Sequence, residues 1–117
     1  MSEMTSPGEA IDIGTLGPGL VTAEIVPLIK TRDLEIFRVV VPSGDTVPTH
    51  EFSREVVVHC LEGSVKLTSP SGVHALKAGQ MLLYSAYEPF SLEGQEDSAL
   101  LITAALSKTG GNIGMIG

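Results

Sequence analysis

Short runs of apolar residues alternate with polar ones along most of the chain, and Gly or Pro recurs between the runs. In "DLEIFRVVV", Asp33 to Val41, every second residue from Phe37 is apolar, so Phe37, Val39 and Val41 share one face of a strand. "EVVVHCLE" reads as a second strand, rich in β-branched residues and closed by a turn at Gly63. "SVKLT" and "VHALK" flank "SPSG" and predict a hairpin. "QMLLYS", "PFSLE" and "SALLITAAL" predict three further strands. Leu20 to Lys30 also carries strand character, but Pro27 limits its second half to a sheet edge or a bulge. No longer segment shows helical periodicity, so little helix is expected. About eight to ten short strands at regular spacing imply an all-β sandwich or barrel, which protects its edges by closing on itself.

The chain divides into three parts on this reading. Residues 1–19, polar and rich in Gly and Pro, form an arm or an edge strand. Residues 20–107 form the barrel, and residues 108–117 form a Gly-rich tail. A chain of 117 residues suits one domain with one core. Apolar residues supply 43% of it but aromatics only 4%, so the core is expected to be mainly aliphatic.

Fourteen acidic and seven basic residues give a net charge of −7, which opposes binding to nucleic acid or to an anionic membrane. Cys60 is the only cysteine, which excludes an intrachain disulfide and favours a reducing compartment. The first residues lack the basic and apolar regions of a secretion signal, and the apolar run "ALLITAAL" is far short of a membrane span. A cytoplasmic protein is expected.

The stretch "GDTVPTHEFSREVVVHCLEG", Gly44 to Gly63, concentrates potential chemistry. It holds His50, His59, Cys60 and three Glu. Its frame resembles the first motif of the cupins, small antiparallel jelly-roll barrels: Gly, five residues, His, any residue, His, three or four residues, Glu, six residues, Gly. Gly44, His50 and Gly63 match that frame. "LKAGQMLLY" resembles the start of the second motif at Gly79, whose Pro, Gly and His positions fall on Ser85, Tyr87 and Phe90. The resemblance covers roughly residues 34–106 and implies a cupin-like β-barrel. It also implies a homodimer, with outward apolar residues such as Val57 and Leu61 suited to a subunit interface.

In metal-binding cupins, two His, one Glu and a third His hold the ion. Those positions fall on His50, Phe52, Val56 and Phe90, and a single imidazole is too few donors for a transition metal. No metal and no cofactor are expected. Strand parity points Val56, Val58 and Cys60 inward and Glu55, Val57, His59 and Leu61 outward. A one-residue bulge would reverse this and gather His50, Glu55 and His59.

The candidate ligand pocket is therefore His50, Phe52, Val56, Cys60, Tyr87 and Phe90. It suits a metal-free module that binds or senses a small molecule. One alternative is an enzyme using His50, either as a metal-dependent dioxygenase or isomerase or by acid–base chemistry with a Tyr. Another is a structural or partner-binding barrel with a closed interior. No residue is assigned as catalytic, because no second acid or base accompanies His50.

Overall fold

The computed structural model describes residues 7–106, except for the side chains of Thr49 and His50. The described residues form nine strands: β1 Glu24–Lys30, β2 Leu34–Val41, β3 Thr46–His50, β4 Val56–Glu62, β5 Ser64–Ser69, β6 Gly72–Lys77, β7 Met81–Tyr84, β8 Phe90–Gly94 and β9 Ser98–Ala105. One sheet has five strands in the order β1-β2-β9-β4-β7, and the other has four in the order β3-β8-β5-β6. Every pairing is antiparallel. The described residues contain no helix, as the absence of a helical period requires. Among the described residues no helix is long and apolar enough to cross a membrane.

Alternation along the strands builds the core. Phe37, Ile102, Val58 and Leu82 lie side by side across β2, β9, β4 and β7, and Val39, Leu100 and Cys60 form the next inward row. Val65, Leu67, Leu76, Phe90 and Leu92 face them from the second sheet. Val56, Val58 and Cys60 are almost wholly buried, whereas Val57, His59 and Leu61 are only half-buried. The inward parity of β4 is thus present in the fold. Pairing runs unbroken from Val56 to Cys60, and its one irregularity comes later, between Cys60 and Glu62. A bulge that would turn Glu55 and His59 inward is therefore ruled out.

Both prolines within strands lie where the missing N–H costs least. Pro27 stands beside a register shift in β1 and Pro48 beside one in β3, and each strand is a sheet edge. Pro48 also explains why Thr46–His50 is hard to recognise as a strand from its sequence. β1 begins at Glu24 rather than Leu20, and the described residues before it contain no strand. That segment is an arm fastened across the outer face of the five-stranded sheet. Arg38 donates to the Thr15 carbonyl at 3.1 Å and pairs with Glu24 at 3.3 Å, while the Leu16 N–H donates to the Glu62 carboxylate at 3.1 Å. The Gly-rich tail expected over 108–117 lies outside the described residues.

Gly63 joins β4 to β5 at φ 80°, a left-handed conformation. A Cβ there would run into the Asp97 carbonyl oxygen, the Ser98 hydroxyl and, at 2.9 Å, the Ser98 Cα. Two reasons therefore demand glycine at this position: the backbone angle and the approach of β9.

Candidate functional site

An apolar cavity opens between the two sheets, near the edge formed by β1 and β3. Its walls are Ile25 of β1, Phe37 and Val39 of β2, Val47 and Pro48 of β3, Phe52 of the following loop, Phe90 and Leu92 of β8, and Ile102 of β9. About 20 Å³ is available to the centres of water-sized molecules, within about 320 Å³ of atom-free space that includes the open mouth. Val39, Phe90, Leu92 and Ile102 are buried and form the floor; Ile25, Phe37, Val47 and Phe52 retain exposure nearer the rim.

A line of aromatic rings borders this cavity. Tyr84 stacks on Phe90 with ring centroids 4.6 Å apart and planes at 17°. Phe90 is 6.2 Å from Phe52, which is 6.3 Å from Phe37. The chain has three Phe and two Tyr, so this line uses every aromatic residue except Tyr87. Such contacts favour offset or tilted geometry and fix the floor against the rim.

Behind Phe90, Tyr84 is buried and its hydroxyl has no hydrogen-bond partner among the described residues. Burial pushes its pKa up; Ser69 lies near enough to oppose this and the Glu88 charge adds to it. Ser69 instead turns its hydroxyl to Glu88. The Glu88 carboxylate accepts from Ser69 Oγ at 3.0 Å and from Ser71 Oγ at 2.6 Å, tying the β5–β6 turn to the β7–β8 loop. The Ser71 bond is the main reason the Glu88 carboxyl sits below its ordinary pKa; desolvation opposes it, and Ser69, the Ser85 backbone and His74 assist.

The six residues proposed from the sequence are not one set. Phe52 and Phe90 line the cavity, and the backbone of His50 pairs with that of Phe90. The His50 side chain lies outside the described residues. Val56 and Cys60 face the interior but not the cavity. Cys60 sits near the far end of β4, with Sγ 3.4 Å from the Glu62 carbonyl and 3.6 Å from that of Gly63. Burial raises its pKa, against a lowering by the Glu62 bond and with a further rise from the Glu96 charge. It is therefore a packed thiol, poorly suited to act as a nucleophile.

Tyr87 is 64% exposed and lies on the rim loop rather than in the cavity. It occupies the glycine position of the second cupin motif and adopts the conformation glycine would favour there, φ 63°. Its N–H donates to the Phe52 carbonyl at 2.7 Å, joining the two rim loops. Sequence reasoning missed Ile25, Phe37, Val39, Val47, Pro48, Leu92 and Ile102. The shared face of Phe37 and Val39 was visible in the alternation, but nothing local says which strands will face it.

The residues at the cupin metal positions do not fit a metal. Phe52, Val56 and Phe90 have no donor atoms in their side chains. Among the described residues no three His, Cys, Asp or Glu side chains converge as ligands. His59, half-buried on the outer face, and Glu55, exposed, cannot join a set inside the barrel.

No family model matches the chain, and no curated protein matches it. Solved structures do. A conserved protein of unknown function from Streptococcus pyogenes superposes with TM-score 0.73 at 17% identity, covering 93% of this chain and 98% of that one. A cupin superfamily protein from Desulfitobacterium hafniense gives TM-score 0.70 at 15% identity, covering 74% and 79%. A mutant salicylate 1,2-dioxygenase from Pseudoaminobacter salicylatoxidans gives TM-score 0.65 at 15% identity, covering 70% of this chain and 26% of that one. These likenesses establish the architecture: the chain has the all-β jelly-roll fold of the cupins.

Proposed function

We propose that this cupin-fold chain is a metal-independent module that binds or senses a small molecule. One observation carries the reading. Phe52, Val56 and Phe90, at three positions where the cupin motif has metal ligands, are part of a hydrocarbon interior, and an open cavity lies beside Phe52 and Phe90. Binding sites are commonly concave and mainly apolar. Catalysis would need a second acid, base or nucleophile in reach, and the described lining supplies none.

The lone cysteine and the acidic surface fit a cytoplasmic protein. A homodimer is part of the proposal. Met81 and Leu83 expose more than half of their surface on the outer side of β7, beside the half-buried Val57, His59 and Leu61 of β4. Replacing Leu83 with Glu should convert a dimer into a monomer in light scattering. A wild-type protein that is monomeric at micromolar concentration would remove that part.

Binding itself is tested by screening the purified protein against a fragment set that includes acids, bases, sugars and neutral rings, read by methyl chemical shifts. Shifts at Val39, Leu92 and Ile102 support the reading, and their absence with every fragment overturns it. Elemental analysis tests metal independence. Near-stoichiometric Zn, Fe, Mn or Ni that disappears in His50→Ala would defeat it.

A further inference from the structure

We propose that β7 is a pairing edge, and that two copies of the chain join through it, antiparallel about a two-fold axis, into one continuous sheet. This rests on the dimer part of the reading above and adds the element that makes the contact.

The two sheets end in the edge strands β1, β7, β3 and β6. An open edge is a template for a further strand, and folded proteins blunt such edges with proline, bulges or charge. β1 has Pro27 and a register shift, and β3 has Pro48 and another. β6 carries His74 and Lys77, and Gln80 occupies its last outward groups. There the Lys77 N–H donates to Gln80 Oε1 and the Lys77 carbonyl accepts from the Gln80 N–H, both at 2.9 Å. β7 has none of these devices. Its residues, MLLY, include no proline and no charge, and they pair with β4 without a register shift.

The β4–β7 register fixes which backbone groups this edge offers. The Cys60 N–H donates to the Gln80 carbonyl at 2.9 Å, and Val58 and Val56 follow opposite Leu82 and Tyr84. Bonding direction alternates along an antiparallel strand, so Leu82 and Tyr84 turn their N–H and C=O towards β4. Met81 and Leu83 turn theirs outward, where they meet no partner among the described residues. A two-fold axis at Leu82 sets Met81 opposite the partner's Leu83, and each outward N–H then finds an outward C=O.

Side chains and charge agree with this pairing. Met81 and Leu83 are 61% and 62% exposed on the outer face of the sheet. Placed opposite each other across the axis, they form apolar cross-strand pairs. A net charge of −7 opposes most contacts between copies, but "QMLLYS", Gln80 to Ser85, contains no charged residue. The contact is isologous and uses the unguarded edge of each copy, so assembly closes at the dimer.

Amide exchange followed by NMR, with light scattering on the same samples, tests the proposal on the full chain. The Met81 and Leu83 amides should exchange at least tenfold more slowly in the dimer than after dilution to monomer. Leu82, bonded to β4, should stay protected in both. Leu83→Pro keeps an apolar side chain but removes an outward N–H, and should weaken dimerisation at least tenfold. Val73→Pro makes the same change on β6, where alternation from the bond between the Ala78 N–H and the Gly63 carbonyl turns Val73 outward; dimerisation should not change. If Leu83→Pro does not fold, the exchange rates of the wild-type protein decide. Unprotected Met81 and Leu83 amides in a wild-type dimer would overturn the pairing and leave the dimer reading standing. Wild-type dimerisation by folded Leu83→Pro, or its loss in folded Val73→Pro, would do the same. Protection of both amides in a monomer would mean that another segment of the same chain covers this edge, which also overturns the pairing. A protein that is monomeric at every concentration would overturn the dimer reading and the pairing together.

Discussion

Replacing Gly63 with Ala isolates the role of the glycine that closes β4. The residue sits at φ 80°, where an L-residue costs about 1–2 kcal/mol. The added methyl also meets the Asp97 carbonyl oxygen, the Ser98 hydroxyl and the Ser98 Cα. Two of those three atoms are backbone, so relief requires the start of β9 to move. That movement strains the Ser98 clasp, in which Oγ accepts from the Ser64 N–H at 3.0 Å and lies 2.9 Å from the Ser64 carbonyl. Two neutral hydrogen bonds contribute about 0.5–1.5 kcal/mol each. The expected destabilisation is therefore about 2–5 kcal/mol in total. Gly44→Ala is the control. Gly44 has a similar φ of 85°, but nothing lies within 4 Å of its added methyl, so only the conformational cost of about 1–2 kcal/mol applies. Urea unfolding followed by circular dichroism measures both, read as shifts in midpoint at constant slope. If Gly63→Ala falls within about 0.5 kcal/mol of Gly44→Ala, the approach of β9 contributes nothing and the packing argument is refuted.

Tyr87→Gly should raise stability by about 0.5–1 kcal/mol, because relief of the left-handed conformation exceeds the added chain entropy of glycine. A thermal melt that moves downward would instead show that the exposed ring contributes contacts of its own. The Glu88 latch should weaken in acid. Its folded pKa lies below the ordinary 4.5, so its stabilisation is fully present above the unfolded value and disappears as pH falls through the folded one. Comparing wild type with Glu88→Gln by urea titration from neutral pH to about pH 3 should show a stability difference that shrinks only below the unfolded pKa; a difference that grows in acid would contradict the sign. Cys60 should resist maleimide in the native state and react at a rate set by unfolding, given its burial and raised pKa. Rapid labelling in the absence of denaturant would mean that β4 opens locally.

Two rings of the aromatic line fall at positions that the cupin motif gives to metal ligands. Phe52 and Phe90 stand at ligand positions of the cupin motif, and their rings lie within 6.2 Å of each other. A donor side chain placed at Phe52 or Phe90 would break ring contacts with Phe37 or Tyr84 as well.

Local information was enough for much of this. Alternation in β4 identified inward and outward residues, since a strand's side-chain period is two and burial there follows it; in β2 Arg38 to Val41 are buried on both faces. The turns at Gly63 and "SPSG" were marked by residues whose backbone freedom or local hydrogen bonding shapes a turn. Spacing between Gly44, His50 and Gly63 pointed to the cupin frame, and Phe52, Val56 and Phe90 place side chains without donor atoms at three of its ligand positions. Long-range pairing decided the rest. That β9 lies between β2 and β4 brings Ile102 beside Phe37. That β3 pairs with β8 sets Val47 against Leu92. No local pattern encodes either neighbour, because each strand offers the same hydrogen-bonding edge and a similar apolar face. The cavity exists only once those separate faces meet, so its walls were legible residue by residue while its location was not. Tyr87 marks the same divide: its place in the motif suggested a pocket residue, whereas the loop's left-handed turn directs it to solvent and leaves its backbone to tie the rim together.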